Sequence, residues 1–127
     1  MPKVLIVEDD PSSRRLVEFT LQQEGFEVVT AANGLEGLDR AQSEQPDVIV
    51  MDVMMPVMAG FEACLRLKEI PTTAHIPILV LTAKGHEADR TYSLLAGADD
   101  YLAKPADPEI IAARVRALAA KAAAGQM

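Results

Sequence analysis

A single cysteine, Cys64, leaves no possibility of an internal disulfide, and the first residues show none of the basic, apolar and small-residue segments of a secretory signal. A reducing cytoplasm is the expected compartment, with Cys64 a small core residue on a helix. No apolar stretch approaches the roughly 18 to 20 residues that cross a bilayer, so no membrane association is expected. Basic residues are the minority: 12 Lys and Arg against 19 Asp and Glu give a net charge of −7. That balance opposes nonspecific contact with nucleic acid, and no direct nucleic-acid binding is expected. Internal repeats and interdomain linkers are not visible. The 127 residues, half of them apolar, suffice for one core without metals or disulfides, and residues 1–127 are expected to form a single domain.

Short apolar runs bounded by turn signals stand at residues 3–7, 27–31, 47–51, 78–82 and 100–103 and predict five strands. Segments of helical period lie between them, near 11–24, 34–44, 60–69 and 87–96, and a last helix runs from about 108 to 123 before a short tail. Strict alternation of this kind implies an α/β fold: a doubly wound, five-stranded parallel sheet with helices on both faces. The punctuation agrees. Asp10 and Pro11 form a cap and first-turn pair, Gly25 stands where the first helix should stop, and Asn33 with Gly34 marks the turn into the second.

In open parallel sheets ligands bind at the carboxyl ends of the strands, where strand order reverses. The first strand ends in Glu8 and Asp9, the third in Asp52, the fourth in Thr82 and the fifth in Lys104, while the second ends in Ala31 and Ala32. In the flavodoxin-like order 2-1-3-4-5 the four polar ends are neighbours and the bland one lies at an edge. Three carboxylates gathered there repel unless a cation joins them, and hard oxygen ligands with open positions suit Mg²⁺. Lys104 can neutralise Asp52 and then a phosphoryl oxygen, and the Thr82 hydroxyl can donate to another. An aspartate carboxylate is an accepted nucleophile for phosphoryl transfer, which needs mainly positioning and charge compensation.

The chain resembles bacterial response-regulator receiver domains over essentially its whole length. The resemblance rests on five ordered pieces: Val7, Glu8, Asp9 and Asp10; Asp52 followed by Met55, Pro56 and Gly60; Thr82 with Ala83; Gly97 to Tyr101; and Lys104 with Pro105. It implies a two-component phosphorelay receiver, a signalling phosphoacceptor and not an enzyme in the ordinary sense. Glu8, Asp9, Asp52 and the backbone carbonyl of Met54 would hold Mg²⁺, and Asp52 would accept the phosphoryl group. Asp10 would be a helix cap. Lys104 would precede a cis bond to Pro105, Thr82 and Tyr101 would form the switch, and the readout face would comprise the fourth helix, fifth strand and fifth helix. The implied partners are a sensor histidine kinase or histidine phosphotransfer protein and a downstream target protein, with a phosphorylation-dependent homodimer as a further expectation.

Two positions depart from the family pattern. Ala59 stands where an acidic residue usually precedes the loop glycine, and Ala106 where phenylalanine often follows the Lys-Pro pair. Met54 and Lys84, two residues beyond Asp52 and Thr82, could screen attacking water. His75 and His86 lack partners at ligand spacing and are expected at the surface, while Arg14 and Arg15 read as a solvated helix face. Two other functions compete. A degenerate receiver acting only as a binding module would not need its chemical positions filled, as they are here. A Mg²⁺-dependent aspartyl-phosphate hydrolase would want a second Asp where Met54 stands, and methionine transfers no proton.

Overall fold

The computed structural model describes residues 2–52, 60–83, 97–104 and 106–125. Five strands, β1 (Lys3–Val7), β2 (Glu27–Ala31), β3 (Val48–Asp52), β4 (Ile78–Ala83) and β5 (Asp100–Lys104), form one parallel sheet in the order β2-β1-β3-β4-β5. Among the described residues there are four helices: α1 (Pro11–Gln23), α2 (Gly34–Glu44), α3 (Gly60–Glu69) and α4 (Pro108–Gly125). The helix expected near 87–96 lies outside the described residues. No described helix is long and apolar enough to cross a membrane.

The strands read as unbroken apolar runs because both faces of the sheet are covered. Successive side chains alternate between two cores. Leu5, Val7, Ile49, Met51, Ile78 and Val80 face α2 and α3, where Leu38, Ala41, Cys64 and Leu67 meet them. Val4, Ile6, Val48, Val50, Leu79 and Leu81 face Val17 and Leu21 of α1 and Ile111, Val115 and Leu118 of α4. Each large aliphatic side chain fully buried in this way stabilises the fold by about 1.5–3 kcal/mol. Gly37 lets α2 lie close to β1, since a Cβ there would stand 3.0 Å from Cγ2 of the buried Val7.

Local chemistry sets the element ends. The Asp10 carboxylate accepts from the Ser13 amide at 2.9 Å, and Pro11 fills the first helical position, where a missing N–H is harmless. Gly25 takes φ +94°, and the amides of Gly25 and Phe26 close on the carbonyls of Gln22 and Leu21 to end α1. Asn33 caps α2 by accepting from the Glu36 amide, and Glu36 returns a carboxylate to the Ala32 amide. Three strands run one residue beyond the expected ends. Asp52 pairs with Leu81 and Lys104 with Ala83, so both chemical residues belong to the ladder and not to loops. α4 extends past residue 123 because its alanine-rich end favours helix.

Candidate metal centre

The reversal of strand order between β1 and β3 brings the ends of these strands beside β4 and β5. Asp52 ends β3 with an almost wholly buried side chain, and Glu8, one residue past β1, is just as enclosed. Asp9 is exposed at the rim. One carboxylate oxygen from each of Glu8, Asp9 and Asp52 lies within 4.8 Å of the others. From β5 the Lys104 ammonium donates to Asp52 Oδ2 at 2.8 Å and to Glu8 Oε1 at 3.2 Å.

The electrostatics follow from crowding. Burial, then the hydrogen bond and negative charge of Asp52, push the Glu8 carboxyl up to about 8, against the pull of Lys104. Burial pulls the Lys104 ammonium down, but Asp52 and Glu8 outweigh it and the net shift is upward. One ammonium does not satisfy the cluster: Glu8 Oε2 is buried and has no hydrogen-bond partner among the described residues. An orphaned carboxylate oxygen beside two further carboxylates is the donor set of a hard divalent cation, so these residues could hold such an ion.

Thr82 stands one residue before the end of β4, in register with Ala103 and next to the Ala83–Lys104 pair. Tyr101 lies on β5, half-buried, packed against the core on the α2 and α3 face. Met54 lies outside the described residues, as do Met55, Pro56, Ala59, Lys84, His86 and Pro105. His75 is exposed, as expected, and Cys64 is buried, its thiol pushed up to about 11 by desolvation. Arg14 differs from its expected role as part of a solvated face. Its guanidinium folds back and donates to the Glu8 carbonyl at 2.9 Å, holding the backbone of the acidic turn. Only its spacing of six residues from Glu8, within reach across the first turn of α1, could have hinted at this.

Comparison with known proteins agrees with this geometry. The family model of the response regulator receiver domain matches residues 4–116. RpaA of a Synechocystis species, a DNA-binding dual master transcriptional regulator, is 46% identical over 118 residues, covering 93% of this chain and 49% of that protein. The chain spans about half the length of the curated relatives it matches. The chemotaxis protein CheY4 of Vibrio cholerae superposes with a TM-score of 0.87 at 40% identity, over 93% of this chain and 98% of that one. The receiver domain of the sensor histidine kinase PA1611 of Pseudomonas aeruginosa, solved with a magnesium ion coordinated in its active-site cleft, gives 0.86 at 30% identity, over 94% and 98%. The acidic strand ends, the sheet order and a family match over nearly the full length lead to one conclusion: this chain belongs to the response regulator receiver domain family of two-component signalling.

Proposed function

We propose that Asp52 accepts a phosphoryl group from a phosphohistidine on a sensor histidine kinase or a histidine phosphotransfer protein, and that the 127 residues act as one receiver domain. The reading is carried by the 2.8 Å contact between Lys104 and Asp52 inside a cluster of three carboxylates. Glu8, Asp9 and Asp52, with the Met54 carbonyl, would hold Mg²⁺, as the magnesium-bound neighbour suggests. Bound there, Mg²⁺ supplies the positive charge that lets a carboxylate meet a phosphate dianion.

The chain's own groups do the rest. Asp52 attacks phosphorus, an O–P bond forms, and the P–N bond of the donor breaks with its electron pair retained by the imidazole. Lys104 gives up part of its contact with Asp52 and pairs with a phosphoryl oxygen. The Thr82 hydroxyl donates to another oxygen, and Tyr101 turns into the space vacated, biasing a protein-binding face on β5 and α4. Downstream the partner is a protein, and a phosphorylation-dependent homodimer across the same face is part of the proposal. The −7 charge of these residues opposes direct contact with nucleic acid. A cytoplasmic location accords with such a role.

The test is mass spectrometry after incubation with acetyl phosphate and Mg²⁺. One phosphoryl group should appear on wild type, none on Asp52→Asn, and none when EDTA replaces Mg²⁺. Equal labelling of Asp52→Asn would refute the assignment.

A further inference from the structure

β5 closes one edge of the sheet, with its ladder on β4, and ion pairs fasten both of its ends. At the carboxyl end Lys104 pairs with Asp52 and Glu8; just before the amino end Asp99 pairs with Lys68 of α3 at 3.3 Å. The second fastening is built into the ladder. The Asp99 amide donates to the Ile78 carbonyl at 2.9 Å, and its Oδ2 accepts from the Ile78 amide at 2.8 Å as well as from Lys68. The rungs that follow are Leu79 with Asp100 and Val80 with Tyr101. The turn into β5 also rests on the stem of the same lysine, since a Cβ at Gly97 would stand 2.8 Å from Lys68 Cγ.

Tyr101 stands between the two fastenings, packed against a core that includes Leu67 and Ala98, the residues just before Lys68 and Asp99. The fastenings differ in one respect. Lys104 gives up part of its contact when Asp52 is phosphorylated, whereas Lys68 and its partners lie away from the acidic cluster and keep theirs. An aromatic can repack in response to Asp52 only if the strand bearing it holds its place on β4 meanwhile; a strand loose at both ends would take up the change by shifting as a whole. We propose that Lys68, acting through Asp99, is a positioning residue for the switch. It fixes the start of β5, so that a change at Asp52 is delivered to Tyr101. This inference rests on the proposed reading of Asp52 as phosphoacceptor and Tyr101 as switch.

The test is fluorine NMR of the full chain labelled with 3-fluorotyrosine. The chain has two tyrosines, and Tyr92→Phe identifies the Tyr101 resonance. Beryllium fluoride with Mg²⁺ stands in for the phosphoryl group, and its bound-fluoride signal in the same spectrum reports occupancy. Two variants break the clip: Lys68→Met removes the ammonium, and Asp99→Asn keeps an acceptor for the Ile78 amide while removing the charge. At saturation the displacement of the Tyr101 resonance should fall to about half or less of the wild-type value in both, while the apparent Kd for beryllium fluoride stays within about threefold. Lys68→Arg, which keeps a cation for Asp99, should respond nearer to wild type than Lys68→Met. Ile111→Val, a mild core loss on the other face of the sheet, should leave the displacement unchanged, as a merely structural effect would at Lys68 too. Bound beryllium fluoride with a wild-type displacement in both clip variants overturns the inference alone, as does a Tyr101 resonance that never moves in wild type. No binding to wild type at all would sink the phosphoacceptor reading and this inference with it.

Discussion

Glu8 carries the clearest energetic signature of the site. Its carboxyl, ordinarily near 4.5, is pushed to about 8 by burial and by Asp52, so the folded metal-free chain keeps a proton that the unfolded chain releases. The contribution is fully present below about pH 4.5 and is lost as pH rises through about 8, because over that interval the native state binds more protons. The loss is on the order of 5 kcal/mol. Urea unfolding in EDTA across this range should show wild type losing stability relative to Glu8→Gln, and the two curves running parallel would contradict the buried, crowded carboxylate. Arg14 calls for a different measurement. Without its hydrogen bond the turn bearing Glu8 and Asp9 loosens, and Arg14→Ala should weaken Mg²⁺ binding about tenfold in a calorimetric titration. Affinity equal to wild type would make Arg14 a bystander. Glu8, Asp9, Asp52 and Lys104 were legible because polar residues at the ends of apolar strands are conspicuous. Arg14 was not, since a guanidinium folding back on a carbonyl depends on the path of a turn that periodicity does not describe.

Elements are held in place by contacts remote from the acidic cluster. Lys68 near the end of α3 donates to the carbonyls of Ala74 and Ile76 at 3.3 and 2.8 Å and to the Asp99 carboxylate at 3.3 Å. Asp99 in turn accepts from the Ile78 amide at 2.8 Å, so one ammonium ties α3, the approach to β4 and the approach to β5. Lys68→Met keeps the stem and removes these donors; it should cost about 1–3 kcal/mol in denaturant unfolding. A variant as stable as wild type would show the clip to be incidental. Strand and helix positions were largely readable from the apolar runs and caps, including Asp10, Gly25 and Asn33. The one-residue extension of β3, β4 and β5 was not, because hydrogen-bonded pairing continues through Asp52 and Lys104, where hydrophobicity stops. The three-way role of Lys68 was hidden too, since its partners lie up to 31 residues away.

For the chain taken together, charge makes a prediction that the comparisons sharpen. RpaA is named as DNA-binding, yet this chain spans about half of it and carries a net charge of −7. In a gel-shift experiment at physiological salt, these 127 residues should leave duplex DNA unretarded, phosphorylated or not. A retarded complex would overturn the restriction to protein partners. Order of strands and the clustering of polar ends were both legible, because alternating elements admit few parallel topologies.

Lys104 reaches Asp52 across 52 residues of chain and Glu8 across 96. A chain emerging from the ribosome therefore holds its acidic residues long before it holds their counterion. The ion pair closes only when β5, the last strand to be synthesised, docks at the sheet edge. Pairing of the buried acids with this ammonium is thereby tied to completion of the sheet.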